Sequence, residues 1–126
     1  MSWNEDELRA LGESDEVAVS SRRPDGTLRP YITIWGVRVG EDFYIRSAYG
    51  AGNGWFRRAV ASRAGSIRGR GDAVDITFEL LDATDPVHAE VDGAYHAKYD
   101  RYGPRIVNTV VGPRAADVTL RVHPAN

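Results

Sequence analysis

The segment Ser47–Ala59, SAYGAGNGWFRRA, places three glycines and Asn53 ahead of a helix-like run that opens Trp55, Phe56, Arg57, Arg58. The first backbone N–H groups of a helix have no internal partner, and the peptide dipoles make that end positive. Glycines just before it let the backbone approach a ligand and adopt positive φ. The chemistry this supports is anion binding. Arg57 and Arg58 in the first turn oppose the dipole by roughly 0.3–1 kcal/mol each when exposed. A bound anion reverses that sign, because each charge-assisted hydrogen bond contributes roughly 1.5–3 kcal/mol. The alternative is a turn before a helix whose arginines pair with acids elsewhere in the chain. The loop is neither a Walker loop nor a dinucleotide fingerprint.

The surrounding charge follows the same bias. From Phe43 to Gly71 there are six arginines and no acid, whereas the first sixteen residues hold six acids against one arginine. Like-sign blocks of this kind mark interaction surfaces. A formal net charge of −2 and the lack of a nucleic-acid motif argue against nucleic acid as the partner. Tyr31, Trp35, Tyr44, Tyr49 and Trp55 gather aromatics in the same third of the chain. They are suited to stacking on a planar ring or to filling the core, and Tyr49 beside the glycines is the one expected to be exposed. Other constellations offer less. His88 and His96 are eight apart rather than four, so they read as surface histidines and no metal site is expected. No Gly-x-Ser-x-Gly occurs, and Asp72, Asp75 and Glu79 fit the solvent face of a strand.

These residues must be positioned by a mainly β framework. Residues 3–11 read as a helix capped by Asn4 and ended by Gly12, and 16–22 as a strand with Val17 and Val19 inward. Pro-Asp-Gly at 24–26 is a turn. Residues 28–39 read as one long strand, with Gly36 marking a bulge or a close approach to the backbone, and 43–48 complete a meander. A helix over 55–62, a strand near 66–70 and a strand over 73–81 follow, the last with Val74, Ile76, Phe78 and Leu80 on one face. Asp85-Pro86 opens a helix to about Arg101, with Val87, Val91, Tyr95 and Tyr102 along one stripe. Residues 105–112 are ambiguous between strand and short helix, and 116–124 read as the last strand. Tight turns make the pairing antiparallel, and closure solves the edge problem of about six strands. The expected fold is a small antiparallel barrel with two to three flanking helices.

Residues 1–126 are one domain's worth of chain, with ordinary apolar (42%) and charged (27%) shares. No apolar run reaches the roughly 18 residues of a membrane span, and the acidic N-terminus is no signal peptide. A cytoplasmic protein is expected. The absence of cysteine excludes disulfides and thiolate chemistry.

The span GTLRPYITIWGVRVGEDFYIRSAYGAGNGWFRRA resembles the DUF2255 family. More distantly it is similar to the deazaflavin-dependent nitroreductases and the pyridoxamine-phosphate-oxidase-like split β-barrels. Arg23, Gly26, Arg29 and Pro30 match the turn into the long strand of that wider group. Tyr44, Ser47, Gly50, Asn53, Trp55 and Phe56 match its hairpin strand, glycine loop and helix start. The chain has RRAVASRAG where nitroreductase-like members carry Asn-Leu and Asn-Pro, and the lysine of their phosphate loop is absent. The resemblance covers roughly residues 16 to 82. It implies a split barrel, a homodimer, and a flavin (FMN) or deazaflavin (F420) at the subunit interface. Ser47, Gly52, Asn53, Gly54, Arg57 and Arg58 would then hold the cofactor phosphate, and Arg46 and Trp35 would lie near its ring or tail. The function expected is an oxidoreductase acting on a small molecule. The alternative is a non-enzymatic binding or structural dimer that keeps the barrel without the cofactor.

Overall fold

The computed structural model describes residues 3–125. Asn4 caps α1 (Glu5–Glu13), its side-chain oxygen accepting from the amides of Asp6 and Glu7, and acids fill the first turn. The helix runs through Gly12, where the sequence predicts its end, and stops at Ser14. Seven strands follow in one antiparallel sheet: β1 (Val17–Ser21), β2 (Ile32–Ile34), β3 (Gly36–Val39), β4 (Asp42–Arg46), β5 (Ala64–Arg68), β6 (Val74–Leu80) and β7 (Thr119–Pro124). Their order is β2-β1-β5-β6-β7-β4-β3. The two outermost strands, β2 and β3, are consecutive in the chain and joined through Trp35, so the sheet curls into a nearly closed barrel. The register is set by apolar pairs such as Val19 opposite Ile67, Phe78 opposite Val122 and Ile45 opposite Leu120.

The expected single strand over 28–39 is therefore two strands on opposite edges, and the expected meander is two separate hairpins. The break has a local cause. A Cβ on Gly36 would lie 2.6 Å from Cε2 of Phe43, so the ring fills the space a side chain would need. Helix α3 (Val87–Tyr99) then engages the backbone at the break. The Gly36 N–H donates to the Tyr99 hydroxyl (3.2 Å), and the Gly36 carbonyl accepts from Lys98 Nζ (2.7 Å).

Helix α2 (Gly54–Ser62) ends on Arg63 in the left-handed region, φ 62°. Helix α3 (Val87–Tyr99) is followed by a 3₁₀ turn, and the ambiguous stretch resolves into two single-turn helices, α4 (Pro104–Val107) and α5 (Pro113–Ala116). The expected stripe on α3 is corrected at one end: Tyr99 is buried with Val91 and Tyr95, whereas Tyr102 is exposed. Likewise Leu80, expected inward, faces solvent at the end of β6.

Alternation along β4 divides the apolar residues into two clusters. Phe43 and Ile45 point into the barrel with Val17, Val19, Ile67, Ile76, Leu120 and Val122, and α1 and α2 add Leu8, Leu11, Phe56 and Ala59. Tyr44 points the other way, into a cluster of Val37, Leu81, Val91, Tyr95, Tyr99, Val107 and Val110 under α3 and α4. Each fully buried aliphatic or aromatic side chain contributes on the order of 1.5–3 kcal/mol, which fixes the elements that carry the site.

Candidate functional site

Helix α2 lies beside the hairpin that joins β1 to β2. The hairpin brings Arg22, Arg23 and Arg29 to the helix, where Arg57 and Arg58 complete a groove of about 730 Å³. Arg22 is paired with Asp75 at 3.1 Å. Arg23 donates only to the Leu28 carbonyl and the Thr27 hydroxyl, and Arg29, Arg57 and Arg58 have no carboxylate within 4.0 Å among the described residues. Nε of Arg29 is buried with no hydrogen-bond partner among those residues. A buried guanidinium nitrogen left unmade costs about 1–3 kcal/mol or more, so the position is set for an acceptor. The helix start is also uncapped. Asn53 makes no side-chain cap, no acid stands in the first turn, and no acceptor among the described residues meets the amides of Gly54, Trp55 and Phe56.

On the other side of Trp55 lies a cleft of about 430 Å³, walled by Ile34, Trp35, Ala48, Tyr49, Trp55 and Ile106, with Asn53 and Thr109 at its polar points and the buried Arg46 behind its wall. A smaller cavity of about 200 Å³ lies between the two: it shares Arg23, Arg29 and Arg58 with the groove and Ile32 and Trp55 with the cleft, so cleft and groove adjoin through it. An apolar, aromatic cleft with few polar points suits a flat ring, and the neighbouring cationic groove suits its charged tail.

The residues expected from sequence divide between these two places. Arg57 and Arg58 stand in the groove, and Trp35 and Asn53 in the cleft, with Arg46 behind its wall. Ser47 is buried and donates from Oγ to the Gly50 carbonyl at 2.7 Å, which closes the glycine loop on itself. Of the loop glycines only Gly50 has positive φ, 86°; Gly52 is exposed with open space around it. Gly54 begins α2 with the guanidinium of Arg58 against it. Tyr49 is the most exposed large hydrophobic residue, at 84%.

Arg46 is held by the protein itself. Its side chain is fully buried and donates to Thr119 Oγ1 (2.8 Å), the Val110 carbonyl (2.8 Å) and Asp92 Oδ1 (2.5 Å). Nη2 meets Nδ1 of His88 at 3.2 Å, and Nε2 of His88 meets the Asp82 carbonyl at 2.8 Å. That carbonyl can only accept, so Nε2 carries the proton and Nδ1 accepts from Arg46. His88, read from sequence as a surface residue, is thus a buried member of this network, because β4 delivers a guanidinium to its face of α3. Among the described residues no group of three or more potential ligands is arranged to hold a metal ion. No described helix is long and apolar enough to cross a membrane. The arginines that sequence reading left out of the site are Arg22, Arg23 and Arg29. Their signal was the turn SRRPDGTLR, whose reversal folds two basic flanks together.

The model of a family described as "Uncharacterized protein conserved in bacteria (DUF2255)" matches residues 7–122. The chain belongs to the DUF2255 family. Comparison with curated proteins yields no match. Among solved structures, this DUF2255 chain is similar to the heme storage protein HutZ of Vibrio cholerae, at 12% identity and a TM-score of 0.70, covering 100% of this chain and 92% of that one. It is similar to an F420 reductase at 20% identity and a TM-score of 0.59, covering 98% and 97% of the two chains. It also resembles an FAD-binding protein of Mesorhizobium loti at 17% identity and a TM-score of 0.60, covering 98% and 91%. At such identities the likeness is one of fold. The DUF2255 chain shares with these structures the fold of an antiparallel split β-barrel with flanking helices.

Proposed function

We propose that the protein binds a phosphorylated flavin or the deazaflavin F420 and serves as an oxidoreductase on a small molecule. The ring lies in the cleft between Trp35 and Trp55, and the anionic part lies in the groove of Arg23, Arg29, Arg57 and Arg58. One observation carries this reading: four arginines with no carboxylate partner among the described residues line a groove that a small cavity, walled by Ile32 and Trp55, joins to an aromatic cleft. Solved relatives of the same fold include proteins described as F420 reductases and an FAD-binding protein, which supports the choice of cofactor class. When bound, such a cofactor supplies the redox chemistry, and the chain supplies charge, ring contacts and exclusion of water. Four cations exceed what one phosphate monoester neutralises, which favours a cofactor with a longer anionic tail. Exposed Tyr49 and Ile106 stand at the cleft and are the surfaces that a second copy would cover in a homodimer.

The test is titration of the purified protein with FMN, FAD and F420, followed by fluorescence. Micromolar affinity for one of them, lost at least tenfold in Arg57→Ala and Arg58→Ala, is the expected result. Absence of affinity for all three would overturn the reading and leave a cofactor-free binding or structural dimer, which sedimentation velocity would then identify.

A further inference from the structure

A cluster of aromatic rings leads from Trp35 in the cleft to exposed Tyr102. The rings of Trp35 and Tyr99 stack with centroids 4.0 Å apart and planes within 6°. Tyr102 lies 5.5 Å from Trp35 and 6.3 Å from Tyr99, and Tyr95 lies 5.8 Å from Tyr99 on the buried side. Ring packing alone would account for these contacts. The phenol groups, however, differ in a way that packing does not require. The Tyr95 hydroxyl is buried with no partner among the described residues. The Tyr99 hydroxyl donates to the backbone carbonyl of Asp15 (2.7 Å), which is too weak a base to remove a proton. The Tyr102 hydroxyl donates to Oδ2 of Asp15 at 2.9 Å, and a carboxylate can take the proton. Arg101 and Tyr102 hold that carboxyl below the usual carboxylate range, so it is ionised and ready to accept. Burial pushes the Tyr95 and Tyr99 phenols up, which reinforces their inability to lose a proton.

We infer that Trp35, Tyr99 and Tyr102 form an electron relay that carries an oxidising equivalent out of the cleft and leaves it on Tyr102, whose proton moves to Asp15. A small inorganic radical that enters the cleft, such as the azide radical, takes an electron from the Trp35 indole and leaves as its anion, and the indole releases its N–H proton to water. Tyr102 returns an electron to Trp35, directly or through Tyr99, and Trp35 recovers a proton from water. The Tyr102 O–H proton passes to the Asp15 carboxylate, and Tyr102 remains as a neutral radical at the surface. An oxidised phenol is a strong acid, so Asp15 accepts its proton even with Arg101 lowering its basicity. The guanidinium of Arg101, 4.8 Å from the Tyr102 ring, disfavours a positive charge there and makes proton loss part of the step. Tyr95 and Tyr99 lack a basic acceptor, so the equivalent does not stop on them. The relay uses only the chain's own side chains and so goes beyond the cofactor reading; its effect would be to draw a damaging oxidant away from the cleft.

The experiment needs no cofactor. Azide radicals generated by pulse radiolysis oxidise tryptophan in the intact protein, and the decay of the tryptophanyl absorption is followed against growth of the tyrosyl absorption. The expected result is a tyrosyl growth whose rate is independent of protein concentration. It is lost in Tyr102→Phe, an exposed and conservative change, and reduced by at least half in amplitude in Trp35→Phe. Asp15→Asn slows it and makes it depend on added buffer base. A wild-type protein with no such intramolecular growth, or a growth unchanged in Tyr102→Phe, would overturn the relay whether or not a flavin binds.

Discussion

Nη1 of Arg58 lies 2.7 Å from the point where a Cβ on Gly54 would sit, so this cation covers the first turn of its own helix. The turn contains no acid, and its dipole is positive. Removing the cation therefore has opposite consequences with and without an anion. In anion-free buffer, Arg58→Ala is expected to be neutral or to stabilise by about 0.3–1 kcal/mol. With millimolar phosphate or sulfate, the wild type gains thermal stability and the variant gains less. Paired thermal melts with and without the anion check this, and equal gains in both proteins would remove the groove's claim to bind anions.

The parts of the fold readable from sequence were those whose determinants are local. Val17 and Val19 alternate, as do Val118, Leu120 and Val122, and Pro24-Asp25-Gly26 turns where expected. The division between β2 and β3 was not readable, because YITIWGVRV has unbroken strand propensity. It depends on the ring of Phe43 and on Lys98 and Tyr99, which lie 62 and 63 residues beyond Gly36. Short helices α4 and α5 have too few residues to show a period. The site was half readable. The basic run marked Arg57 and Arg58, but Arg22, Arg23 and Arg29 reach the groove only through the β1–β2 hairpin. Arg46 looked available for a ligand in one dimension because Asp92 lies 46 residues away.

The Arg46–Asp92 pair should rank among the most sensitive points of the fold. The Arg46 side chain is 0% exposed, and Asp92, at 33%, is its only carboxylate partner among the described residues. Asp92→Asn leaves a buried cation with neutral partners. Breaking a buried pair costs about 3–5 kcal/mol, and partial access of water to Asp92 reduces this to about 2–3 kcal/mol. Urea unfolding should show a lower midpoint at unchanged slope. A change below about 0.5 kcal/mol would mean that Arg46 is balanced by its neutral partners alone.

At the strand break, Gly36→Ala is expected to destabilise by about 1–3 kcal/mol, since the added methyl meets the ring of Phe43. Phe43→Leu in the same chain should restore part of that loss, although alone it opens a cavity. A double-mutant cycle by denaturant unfolding measures the coupling, expected near 1 kcal/mol or more. Additive effects would indicate that the glycine serves backbone conformation and not the approach of the ring.

Lys98 predicts how stability varies with pH. The chain's only lysine is partly buried against α1 and β3, and burial lowers its pKa from 10.5 to about 8. The unfolded chain keeps its proton to higher pH, so between the folded and unfolded values the unfolded state binds more protons. Stability therefore rises as pH increases from about 8 towards about 10, and the penalty for holding the charge is present in full below that window. Water around the half-buried ammonium reduces the effect to on the order of 1 kcal/mol. Tyr44, Tyr95 and Tyr99 are all shifted upward by burial and oppose this only above the ordinary tyrosine value, so the rise precedes their contribution. Lys98→Met removes the titrating group while keeping its length. It should be more stable than wild type at neutral pH, unless the lost bond to the Gly36 carbonyl offsets the gain, and should show a flatter profile in any case. Urea midpoints at about pH 7 and about pH 9.5 measure both proteins; a wild-type midpoint that falls over this interval, or a variant whose rise equals that of wild type, would show that the ammonium is not penalised by its burial.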